Sequence, residues 1–170
     1  MFRIKNLLCS LARVLATWTG HQGLLAAVNI YSQRTYDNAL LIRAAGAAIT
    51  ATETGATIID VGTGLLDADL VVDVTAMDVT TGDEGYSLLL EGSPDAAFGT
   101  SANITVVAQL TIGGATAAAP VGTADTIGRF LIPFRNERNG TTFRYLRLKT
   151  VIAGTTPSLT FSAFIAKDDD

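Results

Sequence analysis

Three stretches of this chain alternate apolar with other residues at a period of two, and that period confines most of the chain to β-structure. In residues 104–112, Ile104, Val106, Ala108, Leu110 and Ile112 point to one side, and Thr105, Val107, Gln109 and Thr111 to the other. Leu70, Val72, Val74 and Ala76 alternate with Val71, Asp73, Thr75 and Met77. Near the C-terminus, Leu159, Phe161, Ala163 and Ile165 alternate with Ser158, Thr160, Ser162 and Phe164. Segments 39–43, 57–61, 86–91, 128–134 and 143–151 are further strand candidates, which makes about eight.

Turn chemistry falls between these strands. Gly62-Thr-Gly64, Thr81-Gly-Asp-Glu-Gly85, Gly92-Ser-Pro-Asp95, Asn139-Gly140 and Gly154-Thr-Thr-Pro157 supply residues that accept positive φ or fix a bend. The Gly-, Ala- and Thr-rich stretch Gly113 to Asp125 reads as a long exposed loop. Eight punctuated strands predict an all-β sandwich or jelly roll, which manages its sheet edges by packing two sheets together.

The first residues have a different period. Ile4, Leu7, Leu8, Leu11, Val14, Leu15 and Trp18 recur at spacings of three and four, with Arg3, Lys5, Asn6, Ser10, Arg13 and Thr17 on the other side. Gly20 and Gly23 end this amphipathic helix, and a second apolar run spans Leu24 to Ile30. The expected organisation is therefore an N-terminal helical arm over 1–35 and a β-domain over 36–170. Such a helix either packs on its own domain or docks on a neighbouring subunit. A membrane-surface role ranks last, because only three bases lie in it. Arg3, Lys5 and the run from Leu7 to Ala16 have some features of a signal peptide. Arg13 interrupts that run and no small-x-small site closes it before Trp18, so secretion is not the expected reading.

Charge is segregated along the sequence. Residues 44–128 contain no lysine or arginine and hold eleven carboxylates: Glu53, Asp60, Asp67, Asp69, Asp73, Asp78, Asp83, Glu84, Glu91, Asp95 and Asp125. Six bases, Arg129, Arg135, Arg138, Arg144, Arg147 and Lys149, cluster just afterwards. Either the fold interleaves these segments and mixes their charges, or it displays opposite patches to other molecules. The chain as a whole is acidic, at a net charge of -4, which argues against nucleic acid as the main partner. No run of 18 apolar residues is present to span a membrane.

Residues able to carry catalysis are scarce. One histidine, His21, lies in the stretch that ends the helix, and no G-x-S-x-G accompanies it. One cysteine, Cys9, lies within the helical pattern, which excludes an intrachain disulfide and any zinc site built on two cysteines of one chain. Paired carboxylates suit glycoside hydrolysis, but a sugar cleft also calls for aromatics, and the chain has one Trp and four Tyr. Asp67, Asp69 and Asp73 offer oxygens to calcium without the glycine and distal glutamate of an EF-hand loop, so solvated edge carboxylates are the expected reading. No phosphate-binding glycine loop occurs. No enzyme, cofactor or metal is expected. The remaining constellation is basic and aromatic. Tyr145, Arg147 and Lys149 share a face of their strand, and Tyr145 and Arg147 together with Arg135 and Arg138 form a candidate protein interface. The helix residues Ile4, Leu7, Leu11 and Trp18 form a second candidate.

Several segments resemble one family. Tyr145-Leu-Arg-Leu-Lys149 and, after the Gly-Thr-Thr-Pro turn, Phe161-Ser-Ala-Phe-Ile-Ala-Lys-Asp168 are similar to the C-terminal hairpin of tailed-bacteriophage capsid cement (decoration) proteins. Tyr36-Asp-Asn-Ala-Leu-Leu-Ile42 and Ile58-Ile-Asp-Val-Gly62 resemble the start of that family's domain, and Tyr86 to Phe98 resembles one of its strands with the side loop after it. The likeness covers about residues 36–170 and leaves residues 1–35 without a counterpart. It implies a jelly-roll protein, a homotrimer on the outer surface of an icosahedral head, bound to the major capsid protein, with no catalysis and no cofactor. Another phage structural part, such as a head fibre base or tail component, and a carbohydrate-binding β-sandwich are the alternatives. The latter requires an exposed aromatic platform.

Overall fold

The computed structural model describes residues 36–114 and 127–167. The expected helical arm over 1–35 and most of the expected loop from Gly113 to Asp125 lie outside the described residues.

The described chain is almost entirely strand. In chain order these are β1 (Leu41–Arg43), β2 (Glu53–Asp60), β3 (Asp67–Met77), β4 (Gly85–Ser93), β5 (Thr105–Gly113), β6 (Gly128–Arg135), β7 (Glu137–Arg138), β8 (Thr141–Thr142), β9 (Tyr145–Ala153) and β10 (Leu159–Ala166). Two 3-10 turns, Asn38–Leu40 and Ser101–Asn103, precede β1 and β5. Eight strands form two four-stranded antiparallel sheets, ordered β1-β10-β3-β6 and β2-β9-β4-β5. The pairings nest: β1 with β10, β2 with β9, β3 with β6, β4 with β5. Two further pairings, β10 with β3 and β4 with β9, join these ribbons into sheets. This is an eight-stranded jelly roll, as the alternation and turn spacing predict.

The eight expected strands are all present, each displaced by a few residues. The addition is the β7–β8 ribbon, whose turn is Asn139-Gly140 with positive φ at both residues, +52° and +78°. That is the type I′ geometry matched to strand twist, and Asn-Gly is the pair that tolerates it.

Side chains from the two inner faces make one core. Leu70, Val72, Phe161 and Ile165 from one sheet meet Tyr86, Leu88, Leu110, Ile112 and Leu146 from the other. Two face assignments made from the alternation are overturned. Between Leu90↔Ala108 and Glu91↔Val106 the β4–β5 register slips by one, so Val107 is the extra residue and packs against the core, while Val106 pairs with outward-facing Glu91. Between Thr160↔Ala76 and Phe161↔Val74 the β10–β3 register slips likewise, leaving Ala76 exposed and Met77 against the core. A bulge adds one residue to one strand, and every residue beyond it changes face. Pro133, inside β6, is accommodated because β6 is an edge strand and needs no donor on its open side.

Candidate protein interface

The nested pairing decides what happens to the segregated charges. Strands β2, β3 and β4 carry six of the carboxylates of the base-free stretch, Glu53, Asp60, Asp67, Asp69, Asp73 and Glu91, and the late arginines Arg129, Arg135 and Arg147 lie on their partners β6 and β9. Asp73 lies opposite Arg129 and Asp67 opposite Arg135, and each carboxylate accepts two bonds from its guanidinium, at 2.6 and 2.7 Å and at 2.7 and 2.9 Å. Arg144 clamps Asp60 in the same way at 2.8 and 2.7 Å. Arg147 Nε donates to Glu91 Oε2 at 2.7 Å, and Arg43 pairs with Glu53. The fold therefore mixes the charges within one subunit. The two-toothed arginine clamp fixes geometry, but Arg135–Asp67 and Arg144–Asp60 are largely solvent-exposed and add little stability.

The clamps also shift protonation. The Arg144 guanidinium, aided by the Gly62 N–H, lowers Asp60 to about 2. Arg135 lowers Asp67. Guanidinium groups hold both Asp67 and Asp73, so two of the three carboxylates of β3 are committed to arginine. Among the described residues no group of three or more acidic, histidine or cysteine side chains converges as a metal site.

The four described residues of the candidate interface do not share one patch. Arg135 lies on the outer face of the β1-β10-β3-β6 sheet beside Asp67. Tyr145 and Arg147 lie on the outer face of the opposite sheet, since β9 alternates outward Tyr145, Arg147 and Lys149 with buried Leu146 and Leu148, as expected. Arg144 stands 5.2 Å from the Tyr145 ring, and Arg147 stacks 4.2 Å over Phe98. Arg138, on the β7–β8 ribbon, donates from Nη1 to the Val106 carbonyl at 2.9 Å. It borders an open recess of about 270 Å³ with Pro94, Asn103 and Phe143. Ile4, Leu7, Leu11 and Trp18 lie outside the described residues.

Two polar assemblies carry more of the architecture than these arginines, and the sequence alone does not single them out. Asn136 is fully buried. Its Nδ2 donates to the carbonyls of Gly64 at 3.0 Å and Phe143 at 3.2 Å, and its Oδ1 accepts from the Leu66 N–H at 2.7 Å. It locks the β2–β3 loop to the ribbon that precedes β9. At one end of the sandwich, Glu84 is sealed from solvent and accepts from the Thr81 hydroxyl, the Thr81 N–H and the Gly82 N–H. Asp83 accepts from the N–H and hydroxyl of Thr155, tying the β3–β4 loop to the β9–β10 turn. The hydroxyl and backbone donors lower the pKa of both carboxyls. Both assemblies leave a sequence trace only as polar residues near Gly-rich turns, which also describes a solvated loop.

Exposed large apolar side chains among the described residues are Tyr36, Ile58, Leu65, Ile127 and Leu131, and Tyr36 is the one aromatic among them. Among those residues no helix is long and apolar enough to cross a membrane. Compared with family models and with curated proteins, the chain matches none.

Proposed function

We propose that this chain is a structural virion protein: a jelly-roll cement subunit that binds the outer surface of an icosahedral phage head as a trimer and clamps adjacent major capsid proteins. The observation that carries the reading is the position of the family-like segments within the fold. Tyr36 to Ile42 leads into β1, Ile58 to Gly62 closes β2, Tyr86 to Phe98 is β4 with its following loop, and the C-terminal pair is β9 and β10. These segments are far apart in sequence, and the nested pairing makes β1 and β10, and β2 and β9, neighbours.

The surface suits such a role. Arginine and carboxylate are paired off within the subunit, and the outward residues of the β2-β9-β4-β5 sheet include Gln109, Tyr145, Arg147 and Lys149. A cement protein acts through many modest contacts made by several copies at once, so that three weakly bound subunits hold a shell firmly. Neither catalysis nor a cofactor belongs to this reading.

The test is the oligomeric mass of the purified protein, alone and after mixing with empty heads. A trimer that sediments with heads and raises their resistance to heat or osmotic shock is expected. A monomer that ignores heads overturns the proposal. A carbohydrate-binding sandwich would instead give a glycan-array signal that is lost on substituting Tyr36.

A further inference from the structure

Arg138 is the exception to the charge pairing of this fold. Six arginines lie among the described residues. Five of them, Arg43, Arg129, Arg135, Arg144 and Arg147, each hold a carboxylate of the same subunit. Arg138 holds none, and within the described residues its side chain bonds only to the Val106 carbonyl, through Nη1. The adjacent acid, Glu137, is used elsewhere: its Oε1 accepts the Gly140 N–H and steadies the ribbon turn. The clamps on Asp73, Asp67 and Asp60 all use the Nε and Nη2 edge of the guanidinium. Arg138 has that same edge without an acceptor among the described residues, and its anchored Nη1 keeps the planar fork in place for one.

The recess that Arg138 borders has a rigid frame. A Cβ on Gly92 would stand 2.8 Å from Phe143 Cβ and 2.9 Å from its Cγ, so only glycine there lets the ring lie against β4. Asn136 fixes the backbone of Phe143 from both sides, its carbonyl accepting the Phe143 N–H at 2.7 Å and its Nδ2 donating to the Phe143 carbonyl. Thr141 pairs with Arg138 across the ribbon, and Asn103 ends the 3-10 turn before β5. Around this frame the side chains of Asn103, Thr105, Asn139 and Thr141 also line the recess, and none of them makes a hydrogen bond within the described residues. One cation and four neutral donors thus surround a space of about 270 Å³.

We propose that this recess is a carboxylate socket, in which Arg138 and the donors around it take an aspartate or glutamate side chain of a second protein. Every other described arginine already shows this preference within the subunit. A nucleic acid would call for several cations, and the socket has one, on a chain of net charge -4. An acidic sugar would call for an open ring face to stack on, and Phe143 is only 4 % exposed. A single carboxylate needs neither, and an arginine in a framed recess is the kind of residue on which interface energy concentrates. That the second protein is a capsid subunit rests on the cement reading; the chemistry of the socket does not.

The test is a nuclear magnetic resonance titration of the isotope-labelled full chain, at low ionic strength, with acetyl-Gly-Glu-Gly-amide and with its Gln counterpart. The Glu peptide is expected to move the Arg138 Nε–H signal and the Asn103 and Thr141 amides along one saturating curve. The Gln peptide is expected to bind about tenfold more weakly, since bonds to a charged acceptor are the stronger ones. Arg138→Gln, at an exposed site, is expected to weaken the Glu peptide about tenfold. Arg135→Gln removes the same charge from the opposite sheet and is expected to leave binding of the Glu peptide unchanged. Absent or unsaturating shifts, equal curves from the two peptides, or equal weakening by the two substitutions each overturn the proposal. So does tighter binding of glucuronate than of the Glu peptide, which assigns the recess to an acidic sugar. Sedimentation with empty heads reads the cement proposal separately: a chain that takes the Glu peptide and ignores heads keeps the socket and loses the capsid partner.

Discussion

Arg147 joins Glu91 at 2.7 Å across the β9–β4 pairing, and it does so largely out of water: the side chains are 20 % and 8 % exposed, and the guanidinium lies over Phe98. Residue 147 belongs to the late basic cluster and residue 91 to the base-free stretch, so this pair is where the segregated charges of the sequence meet most closely enclosed. Removing the arginine leaves a nearly buried carboxylate without its cation. Arg147→Ala is expected to cost about 3 kcal/mol of unfolding free energy. Arg144→Ala, just before the same strand, opens a pair that is 45 % exposed on both sides and is expected to lower the urea midpoint by much less. Equal effects of the two substitutions in urea titration would contradict the burial argument. In Arg147→Met/Glu91→Gln, where the charge and its partner leave together, most of the loss is expected to return.

Tyr86 sits at zero exposure in β4, and its hydroxyl donates to the Asp78 carbonyl at 2.6 Å while accepting the Ser158 N–H at 3.0 Å. One phenol thereby fastens the end of β3 to the start of β10. Tyr86→Phe keeps the ring and leaves both backbone groups unsatisfied, at a cost of about 1–3 kcal/mol. The local consequence is the sharper check. Hydrogen exchange is expected to quicken at Ser158 and Asp78 and to remain slow at Leu88. Unchanged exchange at Ser158 would mean that the hydroxyl is not its acceptor.

Acid should weaken the fold in a defined window. Arg144 holds Asp60 at about 2, below its ordinary 3.8. The Thr80 hydroxyl lowers Asp78, the Thr155 N–H lowers Asp83, and the Thr81 hydroxyl lowers Glu84 from 4.5. A carboxyl whose folded pKa lies below its unfolded value contributes stability at higher pH, and that contribution fades as the unfolded chain takes up protons first. These groups therefore predict a flat urea midpoint from pH 7 to about 5 and a steady fall from about 4.5 towards 2. Glu84→Gln and Asp60→Asn should each make the fall shallower. A midpoint that rises on acidification would reverse the assigned direction of these shifts.

Much of this architecture is legible in the residues. The period of two locates β3, β5 and β10, because a half-buried strand must alternate, and turn residues mark the connections between the sheet strands. The faces are less legible where a bulge intervenes. Val107 and Met77 reach the core only because one extra residue in β5 and one in β3 reset the alternation, and a bulge leaves the apolar pattern of its own strand unbroken. Charge order along the sequence is the weakest guide. Asp73 and Arg129 are 56 positions apart and touch because β3 and β6 pair, a fact of topology. The buried role of Asn136 is hidden for the same reason, since all its partners but one come from a distant loop.

Asn136 offers the clearest separation of geometry from chemistry. Its side chain uses two donors, to Gly64 and Phe143, and one acceptor, from Leu66, with no exposure to water. Asn136→Ala strands three backbone groups and is expected to cost about 2–4 kcal/mol. Asn136→Asp has the same shape and can still accept from Leu66, yet its charged form turns a repelling oxygen towards two carbonyls. At pH 7 it is expected to destabilise at least as much as alanine, and on acidification towards its own pKa part of the loss should return, since a protonated carboxyl donates one bond. The expected signature in urea titration is a variant whose deficit from wild type narrows as the pH falls from 7 to 5. A deficit independent of pH would show that the aspartate has escaped to solvent and that the β2–β3 loop no longer closes over it.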